Sequence, residues 1–191
     1  MKLRTTLAAA ALVLLFTSSK AQLLPVKNSL QTDLAAVISD YPNGFKNLAG
    51  EITRNNPQSV EFDCKSSVKG AISCQVVKYS STTKDIYSWE AEMLKTDDFE
   101  EAVKKFRSIY NSLQNLSVDI NGNHVVFKGD YTKPSESIKF TTIIFNAGDK
   151  AANLGKLKVS LMLEAEMLDW VIKIQVYEKE KEDNERGKII D

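Results

Sequence analysis

The fold is decided by the stretch LKVSLMLEAEMLDWVIKIQV, residues 157–176. Every second residue is apolar in each of its two halves, and mostly polar residues stand between them. The apolar positions are Leu157, Val159, Leu161, Leu163 and Ala165, then Trp170, Ile172, Ile174 and Val176. A period of two is typical of antiparallel strands that bury one face. The stretch therefore predicts a strand over 157–166, a bend near Leu168-Asp169, and a last strand beyond it.

The same alternation appears earlier, at residues 85–94. One face carries Tyr87, Trp89, Ala91 and Met93, and the other carries Ser88, Glu90 and Glu92. Core packing is the favoured interpretation of Trp89, and of Trp170 on the last strand, because both are in phase with apolar neighbours. This segment is predicted to be a half-buried strand of the same sheet.

A cysteine hairpin precedes it, with predicted strands over 60–65 and 71–79. A turn near Val68-Lys69-Gly70 would set Cys64 opposite Cys74 and Phe62 opposite Val76. Directly opposed antiparallel residues lie about 4.5–5.5 Å apart at Cα, within disulfide reach. A structural disulfide is the favoured interpretation of these two cysteines, which are the only ones in the chain. Two buried thiols are the alternative, and redox or metal chemistry lacks the CxxC spacing and a nearby histidine.

Further strands are predicted after the middle of the chain. Residues 118–120 and 123–127 flank Asn121-Gly122, the strongest two-residue hairpin signal, and this turn pairs Val118 with Val125. Residues 137–146 read as a buried strand.

Two helices are predicted. Residues 97–116 carry apolar side chains at spacings of three and four, and Asp97 with Glu100 resembles a capping box, with Thr96 as a second candidate cap. A shorter helix begins after Asn28 or Ser29 and ends at Tyr41-Pro-Asn-Gly44, since Pro42 disfavours helical geometry at Tyr41. Residues 45–52 fit either a short strand or a helical turn.

These elements indicate an α+β fold, with about seven mainly antiparallel strands and two amphipathic helices on one face, in the order α-β-β-β-α-β-β-β-β. This order is loosely similar to that of type III secretion chaperones. The resemblance implies a secretion-chaperone-like module with a groove exposed on its sheet, and it rests on the order of elements alone.

The first 21 residues have the layout of a secretory signal peptide. A basic start precedes the apolar run Leu7–Phe16, and Ser19-Lys20-Ala21 places small residues where signal peptidase reads. The run is too short to span a bilayer, no second apolar run reaches that length, and no cysteine follows to form a lipobox. We expect a single α+β domain over 22–178, a charged tail over 179–191, and an extracytoplasmic location, periplasmic or secreted, in a bacterium.

Composition argues against two classes of partner. The whole chain has 25 basic and 25 acidic residues, and removal of the signal leaves 22 basic against 25 acidic. A nucleic-acid-binding protein usually carries a basic excess, and a membrane-surface protein a basic amphipathic helix. We therefore expect no nucleic acid and no transmembrane anchor, and an envelope protein or glycan as the unknown partner.

Motifs for catalysis, cofactors or metals are missing from the sequence. His124 is the only histidine and follows the Asn-Gly turn, where a surface position is expected, and neither GxSxG nor HExxH occurs. Two acidic pairs, Glu90 with Glu92 and Glu164 with Glu166, each share the polar face of a strand. A solvated face explains them, and paired carboxylates of a glycoside hydrolase are the alternative.

We therefore expect a non-catalytic binding or interaction protein of the bacterial cell envelope, with no cofactor and no metal. The alternative is a hydrolase that acts on cell-wall or carbohydrate material through the acidic pairs. A binding protein should show an exposed apolar patch or an unprotected sheet edge.

Overall fold

A computed structural model describes residues 29–80, 85–114, 116–147 and 154–179. Its α-helices are α1 (Ser29–Ser39) and α2 (Phe99–Leu113), and a 3-10 turn spans Tyr41–Asn43. Its strands are β1 (Ala49–Asn55), β2 (Ser59–Cys64), β3 (Ser73–Tyr79), β4 (Ile86–Thr96), β5 (Ser117–Ile120), β6 (Asn123–Lys128), β7 (Phe140–Ala147), β8 (Leu157–Glu166) and β9 (Asp169–Glu178). The predicted signal peptide and all of the predicted tail except Lys179 lie outside the described residues.

The nine strands form one sheet in the order β1-β2-β3-β4-β9-β8-β7-β6-β5, and every paired neighbour is antiparallel. The pairing of β4 with β9 joins the two halves of the chain. In that pairing Ala91 stands opposite Ile174, which stands opposite Leu161 on β8. The alternating segments identified in the sequence therefore form the centre of the sheet.

Both helices pack on the apolar face of this sheet, where one core cluster takes in residues from every layer. Leu34 and Ile38 of α1 and Phe106 of α2 are fully buried, together with Trp89 and Phe127 of the strands. The prediction of an α+β fold with a mainly antiparallel sheet is confirmed. The apolar alternation explains it, because each strand presents one continuous row of side chains to the helices.

The predicted strand number and order were wrong. The sheet has nine strands, not about seven, and the order is one helix, four strands, a second helix and five strands. β1 is the strand that the sequence did not assign, since its sequence AGEITRN does not alternate and its pairing with β2 carries two register shifts. The other eight strands correspond to segments predicted from the sequence, so the count of about seven was also lower than the number of those segments. The expected bend near Leu168-Asp169 is a turn at Met167-Leu168 that separates β8 from β9.

The strand pairing confirms the register of two predicted hairpins. Phe62 pairs with Val76 and Val118 with Val125, as their turns predicted. The cap of α2 was placed one residue early: Asp98, not Asp97, begins the helix, and its carboxylate accepts hydrogen bonds from the amides of Glu100 and Glu101.

Cys64 and Cys74 form a disulfide with a Cα–Cα distance of 5.6 Å. A disulfide is compatible with the expected extracytoplasmic location. Within the described ranges, no helix is long and apolar enough to cross a membrane.

Candidate functional site

The face of the sheet opposite the described helices carries the polar residues of the central strands, and we call it the helix-free face. Strand alternation places Glu90 and Glu92 of β4 on it, because Trp89 and Ala91 point into the core. The same argument places Glu164 and Glu166 of β8 on the helix-free face, because the neighbouring Leu163 points into the core. Both predicted acidic pairs therefore share one surface.

Lys173 of β9 lies between these pairs and binds one of them directly. It stands opposite Glu92 on one side and Met162 on the other. Its Nζ donates hydrogen bonds to Glu164 Oε1 at 2.7 Å and to Glu166 Oε1 at 2.5 Å. The two carboxylates of the second acidic pair thus share one ammonium partner within the chain.

Glu90 has different surroundings from the second pair. Gln75 Nε2 donates to Glu90 Oε1 at 3.2 Å across the β3–β4 pairing. Burial raises the pKa of Glu90, and Lys173 only partly offsets that effect. In contrast, the hydrogen bond from Lys173 lowers the pKa of Glu166. Burial acts to lower the pKa of Lys173, but its bonds to Glu164 and Glu166 outweigh burial and raise it above its usual range.

A shallow depression of about 290 Å³ lies beside this cluster. Gln75, Glu90, Glu92 and Lys173 contribute to its lining. The structure therefore brings the first acidic pair and Lys173 to one concave surface, while Glu164 and Glu166 do not line it. Among the described residues, no group of three or more histidine, cysteine, aspartate or glutamate side chains is placed to hold a metal ion.

Large apolar side chains are exposed where β7 begins and the β8–β9 hairpin turns, and we call this surface the apolar end. Its members and their exposed fractions are Ile138 (56%), Phe140 (53%), Met167 (103%) and Leu168 (89%). Phe140 pairs with Glu164 on β8, and the Lys139 carbonyl accepts the amide hydrogen of Ala165. Ile138 and Phe140 therefore flank the hairpin whose tip is Met167-Leu168.

The backbone at this tip is unusual for its sequence. Glu166 pairs with Asp169, so the turn contains two residues only, Met167 and Leu168. Met167 has a φ of +55°, a conformation that glycine and asparagine adopt more readily than other residues. Folding alone therefore favours a small or polar residue at this position.

Charged groups beside the apolar end are paired with each other. Lys95 Nζ lies 3.5 Å from Asp169 Oδ2, and Lys173 binds Glu164 and Glu166. Lys139 Nζ lies 5.2 Å from the ring centroid of Trp170, a cation–π contact. Two lysines thus serve the three carboxylates near the tip, which lowers the cost of removing these carboxylates from water.

His124 lies on the surface, as its position after the turn predicted. Its Nδ1 is 2.8 Å from Asp119 Oδ1, and both side chains are largely exposed. Trp89 and Trp170 are buried and belong to the core, as their phase predicted.

Sequence reasoning missed Lys173 and the whole apolar end. The signal for the apolar end was present, since Met-Leu is a poor turn sequence and stands between two strongly alternating segments. No family model, curated protein or solved structure matches this chain.

Proposed function

We propose that this chain is a non-catalytic binding protein of the bacterial cell envelope, periplasmic or secreted, that engages a partner protein through the apolar end. The observation that carries the proposal is the exposure of Met167 and Leu168 at a hairpin tip, together with that of Ile138 and Phe140 where the neighbouring strand begins. Large apolar side chains clustered on a surface mark interaction sites more often than scattered ones do.

The shape and charge of the surface define the partner. A two-residue hairpin tip is convex, so the partner must offer a concave apolar pocket. Lys95 pairs with Asp169 and Lys173 with Glu164 at its margin. These pairs form the polar rim that surrounds the apolar centre of a typical protein interface.

The sheet edges do not offer an equally good surface. β1 forms one edge, and its two register shifts interrupt the regular row of backbone groups that another strand would need. β5 forms the other edge and is four residues long, with α1 packed against it. These features favour the apolar end over strand addition as the mode of binding.

The experiment compares the wild-type chain with a Met167→Gly/Leu168→Ser double variant, both affinity-tagged and produced in the native host. Gly-Ser suits a two-residue hairpin turn, so the variant should fold at least as well. Ile52→Thr is the matched control, because Ile52 is 59% exposed but lies on the β1 edge. A partner recovered stoichiometrically with the wild type and control, but at least tenfold less with the double variant, supports the proposal. Equal recovery in all three overturns it.

A hydrolase is the second candidate, and one observation favours it. Glu90 lines the depression together with Glu92, and burial raises the pKa of Glu90, as expected of a general acid beside a second carboxylate. Release of reducing ends from peptidoglycan or polysaccharide, lost in Glu90→Gln, would support hydrolysis. The bond from Lys173 to both Glu164 and Glu166 favours a structural role for that pair instead.

A chaperone-like module would hold an unfolded client on the helix-free face and not at the apolar end. The two binding roles predict different partners: a chaperone recovers an unfolded chain that exchanges with other unfolded chains, and an interaction protein recovers one folded partner. Hydrogen exchange of the recovered partner distinguishes them.

A further inference from the structure

A second concave surface, larger than the first and open to solvent, lies at the other end of β9. A cavity of about 720 Å³ lies beside the loop Tyr41–Asn47. Glu178, the last residue of β9, contributes to its lining, as do Asp85 and Tyr87 at the start of β4. The ten residues of β9 place this cavity about 30 Å from the apolar end. The volume is in the range of cavities that hold small ligands.

The loop that forms one wall is held in place by a buried carboxylate. Asp40 accepts hydrogen bonds from Asn43 Nδ2 at 2.8 Å and from Asn47 Nδ2 at 2.6 Å. Its second oxygen accepts the backbone amide of Asn47 at 3.1 Å. Phe45 is fully buried beneath the loop, so the loop is fixed at both ends and in its middle. A wall built in this way is preorganised for a ligand.

The lining combines aromatic rings with hydrogen-bonding groups. Tyr41 and Tyr87 supply the rings, and Asn43 and Asn47 supply amides. The Tyr41 hydroxyl donates a hydrogen bond to the Glu178 carboxylate. Burial, reinforced by Glu178, raises the pKa of Tyr41 to about 12, so this hydroxyl stays protonated even in alkaline solution. Such a lining does not suit a lipid or another wholly apolar ligand.

Charge also limits the ligand. The two carboxylates of the lining have partners already: Asp85 lies 2.8 Å from Lys78 Nζ, and Glu178 lies 3.7 Å from Lys156 Nζ. The lining's lysine, Lys46, has its ammonium 5.7 Å from the ring centroid of Tyr87. A cationic ligand would compete with lysines for both carboxylates, and a polyanion would meet a single lysine, Lys46, in the described lining. A neutral ligand rich in hydroxyl groups meets neither obstacle.

We propose that this cavity binds a neutral, hydroxyl-rich carbohydrate, such as the end of an uncharged or N-acetylated oligosaccharide. Hydroxyls and amides of the ligand bond to the tyrosine, asparagine and carboxylate groups of the lining, and its apolar ring face contacts the tyrosine rings. This site is separate from the apolar end, so it does not depend on the proposed protein partner.

The test follows backbone amide resonances of the full chain during titration with cellotetraose, maltotetraose and N-acetylglucosamine tetrasaccharide. Inorganic phosphate and spermidine are the anionic and cationic probes. We expect saturable shifts with at least one oligosaccharide, centred on Asn43, Gly44 and Asn47, and at least a fivefold weaker affinity in Tyr41→Phe or Asp85→Asn. Tyr79→Phe is the control, because Tyr79 is exposed and outside the lining.

Three results would overturn the proposal. The first is the absence of saturable shifts with all three oligosaccharides while the spectrum shows a folded chain. The second is tighter binding of phosphate or spermidine than of any sugar. The third is saturable sugar binding that Tyr41→Phe and Asp85→Asn both leave unchanged. Loss of the partner at the apolar end would not alter any of these readouts.

Discussion

Lys173 on β9 donates a hydrogen bond from Nζ to Glu164 Oε1 on β8 at 2.7 Å, and both side chains are mostly shielded from water. The same ammonium binds Glu166, so one lysine holds together two carboxylates of like charge. Glu164 and Glu166, which the sequence offered as a candidate catalytic pair, are therefore part of a structural ion cluster.

Replacement of Lys173 by methionine should destabilise the protein. The change leaves Glu164 and Glu166 without their ammonium partner in a partly buried setting, so we expect the free energy of unfolding to fall by about 1–2 kcal/mol. Urea denaturation at pH 7 measures the loss. Lys95→Met is the control, since Lys95 is half exposed and its pair with Asp169 is longer. An equal loss in both variants would contradict the special position of Lys173.

The two glutamates with shifted pKa values should change stability in opposite directions with pH. The folded pKa of Glu90 lies above its ordinary value of 4.5, so the folded state holds this proton more tightly and stability declines as pH rises through that window. The folded pKa of Glu166 lies below its ordinary value, so its contribution is present above that value and is lost as pH falls through the folded pKa.

Glu90→Gln should therefore be more stable than the wild type at pH 7, and Glu166→Gln less stable. Both differences should shrink as the pH is lowered through 4, because the wild-type carboxyls become protonated and resemble the amides. Denaturation curves between pH 3 and pH 8 test this pair of variants together. If both variants changed the free energy of unfolding in the same direction at pH 7, burial of Glu90 and the Lys173 bond to Glu166 would not act as described.

The disulfide gives a prediction that depends on loop length. Cys64 and Cys74 are separated by 10 positions, and closure of so short a loop contributes about 2–3 kcal/mol by restricting the unfolded chain. A Cys64→Ala/Cys74→Ala variant should lose that amount in urea denaturation. The oxidised protein should also show no reactive thiol when denatured without reductant, and two thiols in that assay would show that the bond does not form in solution.

Much of the sheet could be predicted because alternation is a local property. The strands around Trp89, Leu161 and Ile174 followed directly from the period of two, and their faces were assigned correctly. β1 could not be predicted in the same way, since Glu51 and Thr53 fall at its register shifts and break the period. At such an edge strand, tertiary pairing and not local pattern decides the conformation.

The sites depended on which strands are neighbours, and local patterns do not give that information. Lys173 reaches Glu164 because β8 and β9 pair through the turn at Met167-Leu168. A bend near this position was predicted, but Met-Leu is not a typical turn sequence, and the register between the two strands did not follow from it. The cavity joins the Tyr41–Asn47 loop to Asp85 and Glu178, three segments far apart in sequence. The loop is distinctive in the sequence, but the segments that it meets in the fold could not be identified from the sequence.

The turn at Met167 should gain stability when its apolar side chain is removed. Met167 has a φ of +55°, and glycine adopts positive φ without strain from a Cβ atom. We expect Met167→Gly to raise the free energy of unfolding by about 0.5–1 kcal/mol, measured as a higher urea midpoint with unchanged slope. A residue that costs stability and is fully exposed is best explained by binding. A drop in stability would instead show that Met167 packs within the fold.

The rigidity of the cavity loop can be tested by comparing Gly44, which lies in the loop, with Gly70, which lies outside it. Gly44 has a φ of +64°, and a Cβ added there would lie 3.0 Å from Cδ2 of Tyr87. Gly70 has a φ of +84°, but an added Cβ would meet nothing within 4 Å. Both Gly→Ala variants should lose about 1 kcal/mol through backbone strain, and Gly44→Ala should lose about 1 kcal/mol more because Tyr87 must move.

Urea denaturation of the two variants measures that difference, and the Tyr87 ring resonances of Gly44→Ala should shift while those of Gly70→Ala stay in place. Equal losses with an unmoved Tyr87 would mean that the loop relaxes away from the ring. The cavity wall would then be adjustable, and carbohydrate binding would have to order it. A larger loss at Gly44 means that the wall is already rigid in the free protein, which is the condition under which a weakly interacting neutral sugar can be held.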